Sequence, residues 1–293
     1  MQTIPMLTIK KAISSLASLG KAVLLSRRPS KPGEPKGRPL IIMGNGPSLR
    51  ATIADHRAIL ESNDTLAVNF AANSEEYRRL RPRLYVLADP HFFKTGADGA
   101  AEDPNVARLW KNLSETDWDM TLYVPCRARI PDGIASNGHL TTKRYNLTPG
   151  EGLESVSHLL YRHGLAMPRP RNVLIASIMA ALREGYRDIS IVGADHTWSR
   201  DLWVDDLNRV ISVQKHFYQD NEKEFERVAQ EYAGYHLHDI LNSLTIAFRS
   251  YHQIARYAAS IGASITNCTP GSFIDAFPRG EIETTADRHD QTE

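Results

Sequence analysis

Short, unbroken apolar runs alternate along the middle of the chain with segments of helical periodicity. Pro39-Leu-Ile-Ile-Met43, Thr65-Leu-Ala-Val-Asn69, Leu84-Tyr-Val-Leu-Ala88, Thr121-Leu-Tyr-Val-Pro125, Ile189-Ser-Ile-Val-Gly193 and Ala263-Ser-Ile-Thr266 each read as a buried strand. Between them the period lengthens to that of a helix. One such segment follows Gly44–Ser48, another covers Val173–Glu184 with Gly185 as its stop, and a long one runs from Asn242 to Ser260. Apolar strands separated by helices predict an α/β fold with a mostly parallel sheet covered by helices on both faces.

The ends are patterned differently. From Met6 to Arg28, Leu7, Ile9, Ala12, Ile13, Leu16, Leu19, Ala22 and Val23 recur at roughly helical spacing, accompanied by Lys10, Lys11, Lys21, Arg27 and Arg28 and by no acid. Lys21 interrupts the apolar region and no small-x-small site follows, unlike a signal peptide. Two readings stay open for this amphipathic helix. It packs on its own protein or a second copy, as in a homo-oligomer, or it lies on an anionic membrane face. The Pro-, Gly- and charge-rich stretch Ser26–Arg38 has the composition of a linker. The expected organisation is a basic helix over 1–28, a linker over 29–38, an α/β domain over 39–280 and a frayed tail over 281–293.

Composition narrows the classes without naming one. The 293 residues are 42% hydrophobic and 24% charged, which excludes collagen, coiled coil and disorder. A net charge of +1 supplies no field for nucleic acid, so none is expected as a partner. Two cysteines, Cys126 and Cys268, are too few for a secreted disulfide scaffold, and no apolar run approaches the ~20 residues of a membrane span. A cytoplasmic protein, peripheral at the inner membrane face if the first helix binds lipid, is the expectation.

In open α/β sheets, ligands bind at the carboxyl ends of strands, so the residues just after each strand carry the functional signal. The first strand is followed by Gly44-Asn45-Gly46-Pro47-Ser48, whose glycines permit a tight turn and whose helix start suits a phosphate. Leu49 replaces the third glycine of a dinucleotide fingerprint, and no Gly-Lys-Ser/Thr follows as in a P-loop. Asn69 and Asp89 end the next two strands, suited either to ribose and sugar hydroxyls or to plain turn capping. Asp195-His196-Thr197-Trp198-Ser199 follows a later strand, where His196 is either a general base or a structural histidine. His252 lies within the last helix, facing either core or cleft. His236-x-His238-Asp239 lacks further ligands for zinc, and no metal site is expected. Asp117-x-Asp119 precedes a strand rather than ending one, which places it on the wrong side of the sheet. There is no G-x-S-x-G elbow.

Gly44-Asn-Gly-Pro-Ser48, the strand-end Asn69, Asp89-Pro-x-Phe-Phe93, Glu184-Gly-Tyr-Arg-Asp-Ile-Ser-Ile-Val-Gly-Ala-Asp195 and Asn267-Cys-Thr-Pro-Gly-Ser272 occur in an order that resembles the single-domain bacterial sialyltransferases using CMP-sialic acid. The wider group includes flagellin-modifying transferases and archaeal-type 6-hydroxymethylpterin diphosphokinases. The resemblance spans about 39–279. It implies a Rossmann-like, GT-A-like sheet, a CMP-linked acidic sugar as donor, no metal cofactor and inversion at the anomeric carbon. By position it makes Asn45, Asn69 and Asp89 contacts to nucleotide or sugar, with Asp89 standing where the family has Asn. Gly44, Gly46, Pro47, Ser48, Thr197, Pro270 and Ser272 complete the implied donor site. The family's catalytic histidine falls near Thr245, so His252 or His196, with Asp195 beside it, must replace it. A tyrosine pair of the family falls near Thr197. The implied partners are a nucleotide-sugar and a glycan or lipid-linked acceptor in bacterial surface-glycan synthesis. Two alternatives remain. One is a diphosphotransferase passing diphosphate from ATP to a pterin-like alcohol with Mg²⁺ held by Asp89, Asp195 or Asp205-Asp206; the other is a nucleotide-binding protein without turnover.

Overall fold

The computed structural model describes residues 4–96, 101–212 and 234–282. Most of the expected tail, from 283 onward, lies outside the described residues. In chain order the strands are β1 (Leu40–Met43), β2 (Asp64–Val68), β3 (Leu84–Val86), β4 (Met120–Pro125), β5 (Leu140–Tyr145), β6 (Asp188–Val192), the small antiparallel hairpin of β7 (Leu202–Val204) and β8 (Val210–Ser212), and β9 (Ser264–Asn267). The helices are α1 (Ile4–Leu25), α2 (Leu49–Ser62), α3 (Glu75–Leu80), α4 (Pro104–Ser114), α5 (Asp132–Ala135), α6 (Glu154–Arg162), α7 (Val173–Glu184) and α8 (Leu237–Ser260).

Seven strands form one sheet in the order β5-β4-β3-β2-β1-β6-β9, with every neighbouring pair parallel. This is the Rossmann-like α/β architecture expected from the alternation of apolar runs and helices. The chain builds outward from β1 to β5, then returns to lay β6 and β9 on the other side of β1. The order therefore reverses between β1 and β6, the kind of switch point at whose carboxyl ends open α/β sheets bind ligands. The register pairs Met43 with Val192, so the turns that leave the two strands lie side by side.

Alternation along β1 divides the core into two layers. Leu40 and Ile42 face the layer built on α7 and α8, with Ile175, Ile178, Tyr251 and Ile254. Ile41 and Met43 face the layer of α2 and α4, with Ile53, Leu60, Leu109 and Leu113. Helix α7 is apolar nearly all round because it is buried nearly all round. Gly185 ends it at φ +103°, in the left-handed region where glycine is favoured.

Three elements differ from the sequence expectation. β5 was not legible, because its residues Leu-Thr-Thr-Lys-Arg-Tyr sit half-buried at the sheet edge and form no apolar run. α8 begins earlier than Asn242, at Leu237, where the backbone N–H of His236 donates to Asp239 Oδ2 (3.1 Å) in a reciprocal cap. The segment read as a linker is a docked strap. Ser30 N–H donates to Arg144 O (2.9 Å), Gly33 N–H to Arg183 O (3.0 Å) and Lys36 N–H to Gly185 O (3.0 Å). Proline and glycine suit an extended strap as well as a free linker, and a Cβ at Gly33 would collide with the carbonyl of Glu184.

Candidate functional site

Two turns meet at the carboxyl ends of β1 and β6. Gly44 N–H donates to Val192 O (2.8 Å) and Gly46 N–H to Gly193 O (2.8 Å). A Cβ on Gly44 would overlap the carbonyl of Gly193, and one on Gly46 would overlap the carboxylate of Asp195. These two glycines are therefore required by the approach of the β6 turn. Gly193 (φ +64°) and His196 (φ +51°) both adopt left-handed backbone, an uncommon state for histidine that aims the Asp195–His196 pair.

Asp195 is the centre of this junction. Its Oδ2 accepts from Ser48 Oγ (2.7 Å) and from Ser48 N–H (3.4 Å). Ser48 is the N-cap of α2, so the helix start expected to receive a phosphate already holds this chain's own carboxylate. A second anion at the same spot meets like charge, whereas a hydroxyl donor meets an acceptor.

His196 sits at the head of a polar chain that crosses to two helices. Its Nε2 lies 2.7 Å from Tyr251 Oη on α8, and Tyr251 donates in turn to Asn172 Oδ1 (3.0 Å). Asn172 Oδ1 is fixed as the acceptor because it also caps α7, accepting from Ile175 N–H (3.3 Å). With its one proton on Asn172, Tyr251 must accept from His196, so Nε2 carries the imidazole proton and Nδ1 the lone pair. Trp198 covers the ring at 4.1 Å between centroids. Burial pushes the imidazole down to about 3, so His196 is neutral near pH 7.

The other expected residues fall around this centre with differing capacity. Asn45 donates from Nδ2 to Val68 O (3.1 Å), tying the Gly-rich turn to the end of β2. The next residue, Asn69, is left-handed (φ +50°), its carbonyl accepts from Tyr85 Oη, and its Oδ1 is buried without a hydrogen bond among the described residues. Asp89 caps a short turn by accepting from His91 N–H (2.8 Å), the structural role open to it, and remains exposed. Pro47 is exposed in the turn before α2, and Thr197 precedes the short helical turn of Trp198. Pro270 is exposed on the segment after β9. Ser272 is saturated: it donates to Ala194 O (2.7 Å) and accepts from Asn267 Nδ2 (3.0 Å) and Ile274 N–H (3.2 Å), bracing the β6 turn rather than offering a group to a ligand. Thr269 Oγ1 accepts from Ala194 N–H (3.1 Å) on the same turn.

His252 is exposed and paired with Asp275 (3.1 Å). It adjoins Tyr251, and Asp275 lies two residues beyond Phe273, whose N–H donates to Asp195 O (2.9 Å). The pair thus flanks the Asp195–His196 turn. Thr245 turns its hydroxyl back onto Leu241 O (2.9 Å).

Three residues escaped the sequence reading. Tyr251 and Asn172 look like core and cap residues until the fold joins them to His196. Arg200 stacks over the Phe273 ring at 5.1 Å, beside the same turn, and pairs with no carboxylate among the described side chains. Its nearness to the Asp195–His196 run was the one available signal.

Asp117 and Asp119 lie before β4, at the opposite, amino-terminal end of the strands, paired with Arg81 (3.8 Å) and His139 (3.2 Å). A cavity of about 340 Å³ at that end of the sheet is lined by Arg38, Asp64, Arg81 and Arg83, where Asp64 binds Arg38 at 2.6 Å. Among the described residues, no three His, Cys, Asp or Glu side chains gather as metal ligands.

No protein-family model and no curated protein sequence matches the chain. Among solved structures, the MAf glycosyltransferase from Magnetospirillum magneticum AMB-1 superposes at a TM-score of 0.48 with 14% identity. That superposition covers 96% of this chain and 40% of the other, so the chain spans less than half the length of that protein.

Proposed function

We propose that this protein is a glycosyltransferase that takes its sugar from a nucleotide-activated donor, with a CMP-linked acidic sugar as first choice. One observation carries the proposal: strand-end segments that are far apart in sequence converge on the β1/β6 switch point around the Ser48–Asp195 bond. Ribose or sugar hydroxyls donate to Asp195, and the amides of Asn45 and Asn69 order the nucleotide. Gly44 and Gly46 keep the turns close, while Arg200 meets the donor phosphate that Asp195 repels. No metal enters this scheme, and fixed donors stabilise the leaving phosphate.

In the transfer itself, His252, oriented by Asp275, takes the proton of the acceptor hydroxyl. The freed oxygen pair attacks the anomeric carbon, and the carbon–oxygen bond to phosphate breaks with its electrons on the departing nucleoside monophosphate. Attack opposite the leaving group inverts the centre. His196, neutral and fixed in tautomer, offers Nδ1 as an acceptor rather than serving as the base, since a group titrating near 3 holds a proton poorly at neutral pH. The acceptor on this scheme is a glycan or lipid-linked saccharide at the cytoplasmic side.

A diphosphotransferase acting on a pterin-like alcohol ranks second. Its Mg²⁺ needs gathered carboxylates, and Asp205 is instead committed to Arg209 (2.8 Å) within its own hairpin. The test is incubation with CMP-, UDP- and GDP-sugars and a panel of saccharide acceptors, following nucleotide release and anomeric configuration by NMR. CMP release with inversion supports the proposal. Consumption of ATP with Mg²⁺ and a pterin alcohol, with no release from any sugar nucleotide, overturns it.

A further inference from the structure

Helix α1 meets the body through its small polar side chains. Ser18 Oγ donates to Glu151 O and accepts from Glu151 N–H (2.9 Å each), and Ser15 Oγ accepts from Leu153 N–H (2.8 Å). Ser15, Ser18 and Ala22 are buried along this face, one helical turn apart. Between the two bonded residues, Gly152 (φ +121°) brings its backbone against Ser15, where a Cβ would collide.

The opposite face carries its large apolar side chains into solvent. Ile9 is 59% exposed, Ile13 61%, Leu16 69% and Val23 82%. An ordinary surface helix turns such residues inward and its serines outward. Here the orientation is reversed and held so by the serine bonds. Seven of the fifteen large exposed apolar residues among the described residues lie on this one helix, which makes them a patch rather than scatter.

We infer that the outward face of α1 seats the protein on an anionic lipid surface. Charge selects that occupant. No acidic residue occurs before Glu34, while Lys10, Lys11, Lys21, Arg27, Arg28 and Lys31 are all basic. On a helical projection Lys10 and Lys21 border the apolar stripe; Lys21 is half-buried near Glu151, and the exposed Lys10 meets headgroups as Ile13, Leu16 and Val23 enter the acyl boundary. A second copy docking through the same face brings this basic border against itself, because a two-fold contact pairs identical patches. No helix among the described residues is long and apolar enough to cross a membrane, so α1 lies along the surface. The inference stands apart from the transferase proposal and needs no turnover to test.

The experiment is co-flotation of the full chain with vesicles of phosphatidylcholine alone and of phosphatidylcholine with phosphatidylglycerol. The protein is expected to float with the anionic vesicles only, and less so at raised salt. The double substitution L16D/V23D is expected to abolish flotation with the thermal unfolding curve unchanged, and K10Q to lower partitioning about fivefold. Absence of flotation with anionic vesicles overturns the inference. So does a concentration-dependent dimer that L16D/V23D disperses in a chain that binds neither vesicle, which assigns the face to a second copy.

Discussion

Ser48 Oγ donates to Asp195 Oδ2 across 2.7 Å, binding the turn after β1 to the turn after β6 at the point where the strand order reverses. The bond joins residues distant in sequence and fixes a carboxylate on the start of α2. On the proposed function it also sets what a ligand meets there: an acceptor for hydroxyl donors at Asp195, with phosphate displaced toward a cation.

Asp195→Asn removes the charge and keeps the shape. Donor affinity should fall by at least tenfold, because a ribose or sugar hydroxyl then meets an amide with half the acceptor capacity. Ser48→Ala should cost about 1 kcal/mol of stability by leaving Asp195 short of a donor, readable as a lowered Tm. Gly46→Ala should be worse than either, since its methyl takes the space of the carboxylate. Calorimetric titration and thermal melts check all three.

Arg200 gives a sharper discrimination. If it meets the phosphate, Arg200→Gln should weaken CMP binding by about tenfold or more and leave cytidine binding unchanged. Equal loss for nucleotide and nucleoside would assign Arg200 a packing role on Phe273 instead.

The two histidines should separate by chemistry. His252→Gln is expected to lower turnover by ~10²–10⁴-fold with little change in stability, because the side chain is exposed and, among the described residues, bonded to Asp275 alone. Asp275→Asn should reproduce part of that loss. His196→Gln should disturb donor affinity and stability more than the chemical step.

His196 also predicts a pH dependence of stability. Its folded-state value of about 3 lies below the 6.5 of the unfolded chain, so between those values the unfolded state binds a proton that the folded state refuses. The contribution is fully present above about pH 6.5 and is lost as the pH falls toward 3. Denaturant titrations over this range should show a flatter profile for His196→Gln. Tyr251→Phe tests the tautomer: with the Nε2 partner removed, the ¹⁵N shifts of the ring should move away from the pure Nε2–H pattern.

The sheet was legible because β1, β2, β3, β4 and β6 are largely buried and leave apolar runs, while the short edge strand β9 was placed by the long helix before it. β5 was hidden because its half-buried residues Leu-Thr-Thr-Lys-Arg-Tyr form no apolar run and no recognised helix precedes them. The strap was hidden for a different reason: proline and glycine announce irregular backbone, but hydrogen bonds to Arg144 and Arg183 decide whether it is docked. In the site, Gly44–Ser48 and Asp195–His196 were visible as strand-end residues. Their mutual contact was not, because no local pattern reports that a carboxylate and a helix start from two strands coincide. Likewise, the apolar spacing of α1 was plain in the sequence, but which side faced the body depended on Ser15 and Ser18 finding partners on the loop at 151–153.

The central claim is tested most directly by titrating the protein with CMP, UDP, GDP and ATP, each with and without Mg²⁺, beside the Asp195→Asn variant. The account predicts that CMP binds most tightly, that the metal makes no difference, and that Asp195→Asn weakens the binding. Preference for ATP in the presence of Mg²⁺, or CMP binding indifferent to Asp195, would contradict it.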